Sequence, residues 1–324
     1  MRRRALLGLA AASPLLPAAS LAQPAAWPTQ PPRIVVPFAA GGPTDIPARL
    51  LAEELGKVLP FRPVVENRTG AGVVVGTDAV AKAKDGHTLL YTTVAHAVLR
   101  AMFARLPFDP LADLQPVALV GVIPMVLMAN KDLPVTSLAE LIALYRANPG
   151  KYDYGSAGNG SALHLAGELF LREAGNLRVT HVPYRGSAAA MPDLLNGTTA
   201  MMIDVANNTL PYIQRGEVKG LAVSGQKRLP QLPEVPTFAE AGLPGYEAYT
   251  WHMLMVPRGT PAPVVQAVNA AVNGVLAKPE VQRKLEELAL QVRPDSTPDS
   301  AEAWLRAEAA KWEPVVRAAG IKPD

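Results

Sequence analysis

Four short stretches combine glycines with small or hydroxyl-bearing residues just ahead of a helical pattern. They are Ala39–Asp45 (AAGGPTD), Gly70–Thr77 (GAGVVVGT), Ala157–Ser161 (AGNGS) and Arg185–Ser187 (RGS). The first-turn N–H groups of a helix have no intrahelical acceptor and sit at the positive end of the helix dipole. Each stretch therefore offers an edge to an anion. Thr44, Thr77, Ser161 and Ser187 add hydroxyl donors. One such stretch alone reads as a tight turn, whereas four in one chain point to an anion cleft. A hydrogen bond to a charged group contributes roughly 1.5–3 kcal/mol. A few on one carboxylate therefore approach the roughly 8 kcal/mol of micromolar binding.

Other anion chemistries lack their residues. No GK[ST] follows any of the loops, so there is no P-loop, and Gly70-Ala71-Gly72 meets Val75 where a dinucleotide fingerprint needs its last glycine. The chain has no cysteine, which removes disulfides, thiolate metal sites and a cysteine nucleophile. Ser156 lies in YGSAG, where Tyr154 stands in place of the first glycine of a nucleophile elbow. His164 and Glu168 share a helix face, but no third ligand follows in pattern, and His87, His96, His181 and His252 are scattered. No metal, cofactor or catalytic residue is expected.

Some side chains keep two readings. Asp204 closes the apolar run MMID; it either accepts from a ligand group or bridging water, or caps the helix that follows. Asp45 reads as a loop-fixing or capping residue, since a carboxylate facing an anion repels it. Phe38 packs over a ligand or in the core. Arg185 pairs with a second carboxylate or faces solvent.

The elements that must position these residues alternate. Strand patterns at Ile34–Val36, PVVEN and HTLLYTT, the last ending at Thr92 and Thr93, are each followed or preceded by a helical run. The first helix is expected over Asp45–Leu59, with Leu50, Leu51, Leu55 and Val58 on one face. Pro116–Asn130, broken by Pro124, reads as an extended crossing segment, and Tyr246–Pro257 as a second one. Ser137 and Glu140 form a capping box ahead of one helix, and two amphipathic helices are expected at Ala262–Ala277 and about Ser300–Ala319. The alternation argues for an α/β fold of two lobes joined by two crossings, a hinged clamp with its ligand in the cleft.

Composition sets the outer bounds. The 324 residues suffice for two lobes, and 49% hydrophobic with 18% charged residues is globular. Arg2-Arg3-Arg4 followed by the apolar stretch Ala5–Leu16 and the small-x-small site Ser20-Leu21-Ala22 reads as a signal peptide over 1–22, loosely of twin-arginine type. A flexible proline-rich lead-in follows over 23–32. Without those three arginines the charges of both signs balance, which leaves no footprint for nucleic acid.

Seven blocks occur in family order: IVVPFAAGGPTD, VENRTGAG, DGHTLLYTT, GSAGNGSALHLAGELF, HVPYRGSAAAMPDLLNG, LPEVPTFAEAGLPGYE and VPRGTP. Together they resemble the Bug/TctC-type periplasmic solute-binding proteins of tripartite tricarboxylate transport systems. The resemblance implies a type II (Venus-flytrap) binding-protein fold, with 33–124 plus 248–324 as lobe 1 and 125–247 as lobe 2. It implies a first glycine loop, here Phe38, Ala39, Ala40, Gly41, Gly42, Thr44 and Asp45, that binds a carboxylate through backbone amides and water. Gly76, Thr77 and Thr93, the segment Ser156, Ala157, Gly158, Asn159, Gly160 and Ser161, then Arg185 and Asp204 make up the other candidate cleft edges. The implied function is a periplasmic, non-enzymatic, monomeric carrier of a small carboxylate to membrane permease subunits. A ligand sensor feeding a signalling receptor, or an exported hydrolase, are the alternatives. Val73 and Val74 stand where the family often continues its second loop with a glycine and an asparagine, so that edge is bulkier and less polar, and Met253 stands where the family often has a glycine near the second crossing.

Overall fold

A computed structural model describes residues 27–323. The expected signal peptide lies outside the described residues, as do the first residues of the lead-in. The rest of that lead-in is fastened: Trp27 Nε1 donates to Gly86 O at 3.0 Å, and the Thr29 N–H donates to His87 Nε2 at 3.0 Å.

Ile34, Val35 and Val36 are buried and form β1 (Arg33–Val36). The chain crosses through α1 (Asp45–Leu55) to β2 (Val64–Asn67), then through α2 (Val74–Ala81) to β3 (Thr88–Thr92). Both β2 and β3 lie parallel to β1, as such crossovers dictate. The helix α1 stops four residues short of the expected Leu59. Gly56 caps it, and Val58 is left half exposed rather than on the buried face. Two single turns, α3 (Val94–Ala97) and α4 (Leu99–Met102), lead to β4 (Leu114–Asn130).

The strand β4 is the long crossing. Pro124 does not break it, because the strand changes partners there. Up to Pro124 it pairs antiparallel with β9 (Tyr249–Pro257), and from Met125 on it pairs with β7 (Met201–Val205). At the switch the Met125 N–H is taken by Ser224 Oγ at 2.8 Å. Between these partners the chain forms α5 (Leu138–Ala147), β5 (Asp153–Ser156), α6 (Ala162–Glu173), β6 (Thr180–Pro183), α7 (Ser187–Asn196), α8 (Ala206–Gln214) and β8 (Val218–Val223). Ser137 does cap α5, but Glu140 reaches the Thr136 N–H at 2.6 Å instead of completing the capping box on Ser137.

After β9 come α9 (Ala262–Leu276), α10 (Pro279–Glu287), β10 (Gln291–Val292) and α11 (Pro298–Ala318). The helix α10 and the short β10 lie between Ala277 and Ser300, where the sequence pattern named no element. All ten strands of the described residues join in one sheet ordered β2-β1-β3-β9-β4-β7-β5-β6, with β8 and β10 also on β4. Parallel strands at both ends and antiparallel crossings in the middle put two sets of strand C-termini face to face. The back of the crossing is held by α11. Trp251 on β9 and Trp312 on α11 both donate their indole N–H to Glu308 Oε2, at 2.9 and 2.8 Å.

Candidate ligand-binding site

A cavity of about 320 Å³ opens between those strand ends. That is within the usual range for small-molecule sites, about 300–1,000 Å³. The β1–α1 loop contributes Phe38, Ala39, Gly42, Pro43 and Thr44, and the turn after β3 contributes Thr93 and Ala95. From the facing side come Ala157 and Ser161–Leu163 ahead of and within α6, Gly186 and Ser187 at α7, and Asp204, Val205 and Asn208 at α8. Thr250 and His252 of β9 complete the lining. Four helix N-termini, those of α1, α6, α7 and α8, thus meet at one cavity whose lining includes no lysine or arginine. A larger groove of about 790 Å³, lined by residues such as Arg49, Arg62 and Lys284, meets no helix N-terminus.

The first loop is shaped by Asp45. Its carboxylate accepts from the Gly41 N–H at 2.8 Å, Arg49 Nε at 2.7 Å and Asn67 Nδ2 at 2.8 Å. Burial pushes the Asp45 carboxyl up, but the bonds from Arg49, Gly41 and Asn67 together hold it below its ordinary value. Asp45 therefore fixes the loop and lies behind it, while Ala40 and Gly41 sit on the exposed rim. Among the described residues, the N–H groups of Ala39, Ala40 and Thr44 find no acceptor, and Thr44 makes no side-chain capping bond.

The second glycine stretch does not line the cavity. Gly76 lies where a Cβ would come within 2.7 Å of Arg68 O and 2.8 Å of Pro37 Cβ, so it is the close contact between α2 and β1. Thr77 is fully buried and donates to Val73 O at 2.8 Å. Val73 holds a left-handed φ of 73°, a strained conformation for a β-branched residue, and packs with Leu99 and Phe108. Gly76→Ala is expected to cost about 1–3 kcal/mol through overpacking. A urea-melt midpoint equal to the parent's would show that this contact has room to give.

In the third stretch, Ala157 and Ser161 face the cavity, while Gly158 and Gly160 turn inward. The Gly158 N–H donates to Ser156 Oγ at 3.1 Å, and the Gly160 N–H donates to His164 Nδ1 at 3.2 Å. Asn159 lies in the same turn, outside the lining residues. Ser156 Oγ lies 2.6 Å from His181 Nε2, a serine–histidine contact that sequence spacing did not reveal. Ser156 is fully buried and lies outside the lining, so this pair braces the loop. His181 stacks on His164 at 3.7 Å, and Tyr154 donates to Glu168 at 2.6 Å behind them. Arg185 is exposed and outside the lining. Thr93 lines the cavity and caps α3, its hydroxyl accepting from the Ala95 N–H at 3.4 Å.

Asp204 is fully buried and lines the cavity. Its Oδ1 accepts from the Val205 N–H at 2.7 Å, but Val205 is itself the N-cap of α8 and no side chain caps that helix, so Asp204 faces the cavity without being the expected helix cap. Burial raises its carboxyl to about 7, against hydrogen bonds from Val205, Asn208 and Ser187 that lower it.

A family model for the tripartite tricarboxylate transporter family receptor, TctC, matches residues 47–321. The chain belongs to the TctC receptor family. BugT of Bordetella pertussis is 38% identical over 301 residues, covering 91% of each chain. Among solved structures, Rpa4515 of Rhodopseudomonas palustris with adipate is 37% identical, with a TM-score of 0.80, covering 91% of this chain and 99% of that one. MatC of the same organism with bound malate is 36% identical, with a TM-score of 0.78, covering 90% of this chain and all of the other. The fold is accordingly that of the two-lobed periplasmic binding proteins.

Several cavity residues of this TctC-family chain were not singled out from sequence. Asn208 lies one helical turn beyond Asp204, and Thr250 and His252 alternate along β9 on one face; both periodicities are readable once the crossing is known as a strand. Burial also holds three histidines neutral, lowering His96 to about 4 and His164 and His252 to about 3, with the neighbouring His181 adding to the effect on His164. Unfolded, each binds a proton below about 6.5. The unfolded state therefore takes up more protons between pH 6.5 and about 4, and stability is lost as pH falls through that window. Asp204 has the opposite sign, since the folded state holds its proton from about 7 downward. Melting temperature is thus expected to fall from pH 7 to pH 4.5, more steeply in Asp204→Asn. An unchanged melting temperature at pH 4.5 would contradict three buried neutral imidazoles.

Proposed function

We propose that this chain is an exported, non-enzymatic binding protein. It captures a small organic acid, a di- or tricarboxylate or an aromatic carboxylate, and delivers it to the permease subunits of a tripartite tricarboxylate-type transporter. The observation that carries this reading is the meeting of four helix N-termini around a cavity lined without lysine or arginine. Dipole ends, free loop amides and hydroxyls suit a carboxylate, which needs several donors in fixed directions more than one cation. Relatives of similar sequence and fold bind adipate and malate, which supports the same ligand class here.

In this reading residues 33–124 with 248–324 form one lobe and 125–247 the other, with β4 and β9 as the crossings between them. The ligand binds the closed arrangement better and shifts the population toward it. The chain works as a monomer in the periplasm, released from the segment 1–22. Of the candidate residues, Phe38, Ala39, Gly42, Thr44, Thr93, Ala157, Ser161 and Asp204 touch the ligand. Asp45, Gly76, Thr77, Ser156, Gly158 and Gly160 hold the loops in shape.

The test is a thermal-shift screen of the chain from Gln23 against an organic-acid library. A ligand at a hundred times its dissociation constant stabilises the fold by about 2.7 kcal/mol. Hits confined to carboxylates support the reading. Silence among carboxylates with hits among amines, sugars or metals would overturn it.

A further inference from the structure

His252 has no part in the reading above, yet it lines the cavity from the crossing strand β9. Its Nδ1 lies 2.8 Å from Tyr91 Oη, and the two rings meet edge to face at 5.3 Å. Tyr91 is fully buried, and His252 is the hydrogen-bond partner of its hydroxyl among the described residues. That contact can be made in two ways. If Nδ1–H donated to Oη, the tyrosine proton would be sealed in the core without an acceptor. If the tyrosine O–H donates to Nδ1, the tyrosine proton is used and the imidazole proton goes to Nε2, which is not sealed in the core but open to the cavity. The second arrangement wins because a buried donor without an acceptor bears its full desolvation penalty. The imidazole proton then sits on Nε2, which has no hydrogen-bond partner among the described residues. Burial, which lowers His252 to about 3, keeps the ring neutral at working pH.

We propose that His252, fixed by Tyr91 as the Nε2–H tautomer, donates that N–H to an oxygen of the bound acid and selects ligands that present an acceptor over β9. The proposal rests on the carboxylate-binding reading and narrows it. Thr250, two residues earlier on the same face, lines the same floor, and its hydroxyl is not taken by another residue among those described. A ligand whose first carboxylate sits on the helix N-termini is met on β9 by neutral donors. A second carboxylate, a hydroxyl or a keto oxygen fits there. An ammonium does not, because a donor faces it.

The test pairs nitrogen NMR of the imidazole with binding of defined probes, adipate, malate and 6-aminohexanoate. In the free protein the His252 nitrogens, assigned by their loss in His252→Gln, are expected to show a protonated Nε2 and an unprotonated Nδ1 from pH 6 to 9. Tyr91→Phe is expected to mix the tautomers. Adipate or malate is expected to bind and to shift the Nε2 resonance. The amino acid of adipate's chain length is expected to bind at least ~10-fold more weakly, as one lost polar contact implies. His252→Phe should weaken the dicarboxylate about tenfold, while His252→Gln, whose amide N–H falls near the Nε2 position, restores most of it.

A proton on Nδ1, or an imidazolium, overturns the proposal. So does dicarboxylate binding that leaves Nε2 unmoved, or that His252→Phe does not weaken. Failure of every carboxylate to raise the melting temperature would overturn the solute-binding reading itself. His252's ligand role would fall with it, even where the tautomer is as stated.

Discussion

Asp204→Asn is expected to hold its affinity for a dicarboxylate from pH 6 to pH 9, while the parent chain loses about fiftyfold over the same range. The parent's carboxyl changes protonation at about 7 because it is buried at the cavity wall. Below that value it is a neutral donor toward the ligand. Above it, a second negative charge faces the incoming anion, and the lining has no lysine or arginine to offset it. Two charges about 6 Å apart at an effective dielectric constant of about 20 repel by roughly 2.8 kcal/mol. That is about two pKa units, so the bound form titrates near 9. Between the free and bound values the affinity falls tenfold per pH unit, because binding takes up one proton. Asparagine keeps a donor and removes the charge, so its profile is flat. Asp204→Ala removes both and is expected to bind about tenfold more weakly than the parent at pH 6, where one polar contact is lost. Calorimetric titration with malate at pH 6, 7, 8 and 9 reads all three slopes. A flat profile for the parent, or the same slope in the asparagine variant, would show that Asp204 does not face the ligand's charge.

The four loop-to-helix edges were legible because glycine and hydroxyl residues ahead of an apolar periodicity have few other uses. The two crossings were legible as long apolar runs. Local pattern could not tell which edges face one another. The stretches Gly70–Thr77 and Ala39–Asp45 both combine glycines and alanine with a threonine, yet Gly76 closes against Pro37 and Arg68 while Gly42 faces the cavity. That distinction depends on how α2 rolls against β1, which is a long-range packing outcome. Asp204 could be marked as a strand end, but its raised carboxyl follows from burial by parts of the chain far away in sequence. The pairs Ser156–His181 and Tyr91–His252 are separated by 25 and 161 residues. No spacing rule reaches across such distances, so histidines that looked scattered turn out to be the braces and floor of the cleft. The extent of α1 failed for a local reason, Gly56, which a stricter reading of helix stop signals would have caught.

Glu308→Leu is expected to cost about 3–5 kcal/mol of stability and to weaken ligand binding from the opposite side of the sheet. One oxygen of Glu308 accepts from two indoles, Trp251 on β9 and Trp312 on α11, both almost fully buried. Leucine fills much of the same volume but leaves two buried N–H groups without an acceptor, at about 1–3 kcal/mol each. Leucine also leaves Lys311, which reaches Glu308 Oε1 at 3.4 Å, without its acid partner. Glutamine separates the causes. Its carbonyl oxygen can take both indole N–H groups, so only the charge assistance is lost, and a cost nearer 1 kcal/mol is expected. Side chains alternate along β9, so Trp251 points toward α11 while Thr250 and His252 point into the cavity. The carboxylate at the back therefore fixes the strand that forms the floor at the front. Urea melts should rank parent, glutamine and leucine in falling order, and malate affinity should follow the same order. Leucine as stable as the parent would mean that the two indoles find other acceptors. A loss of stability without a loss of affinity would mean that the floor of the cleft is held by its sheet partners β3 and β4 alone.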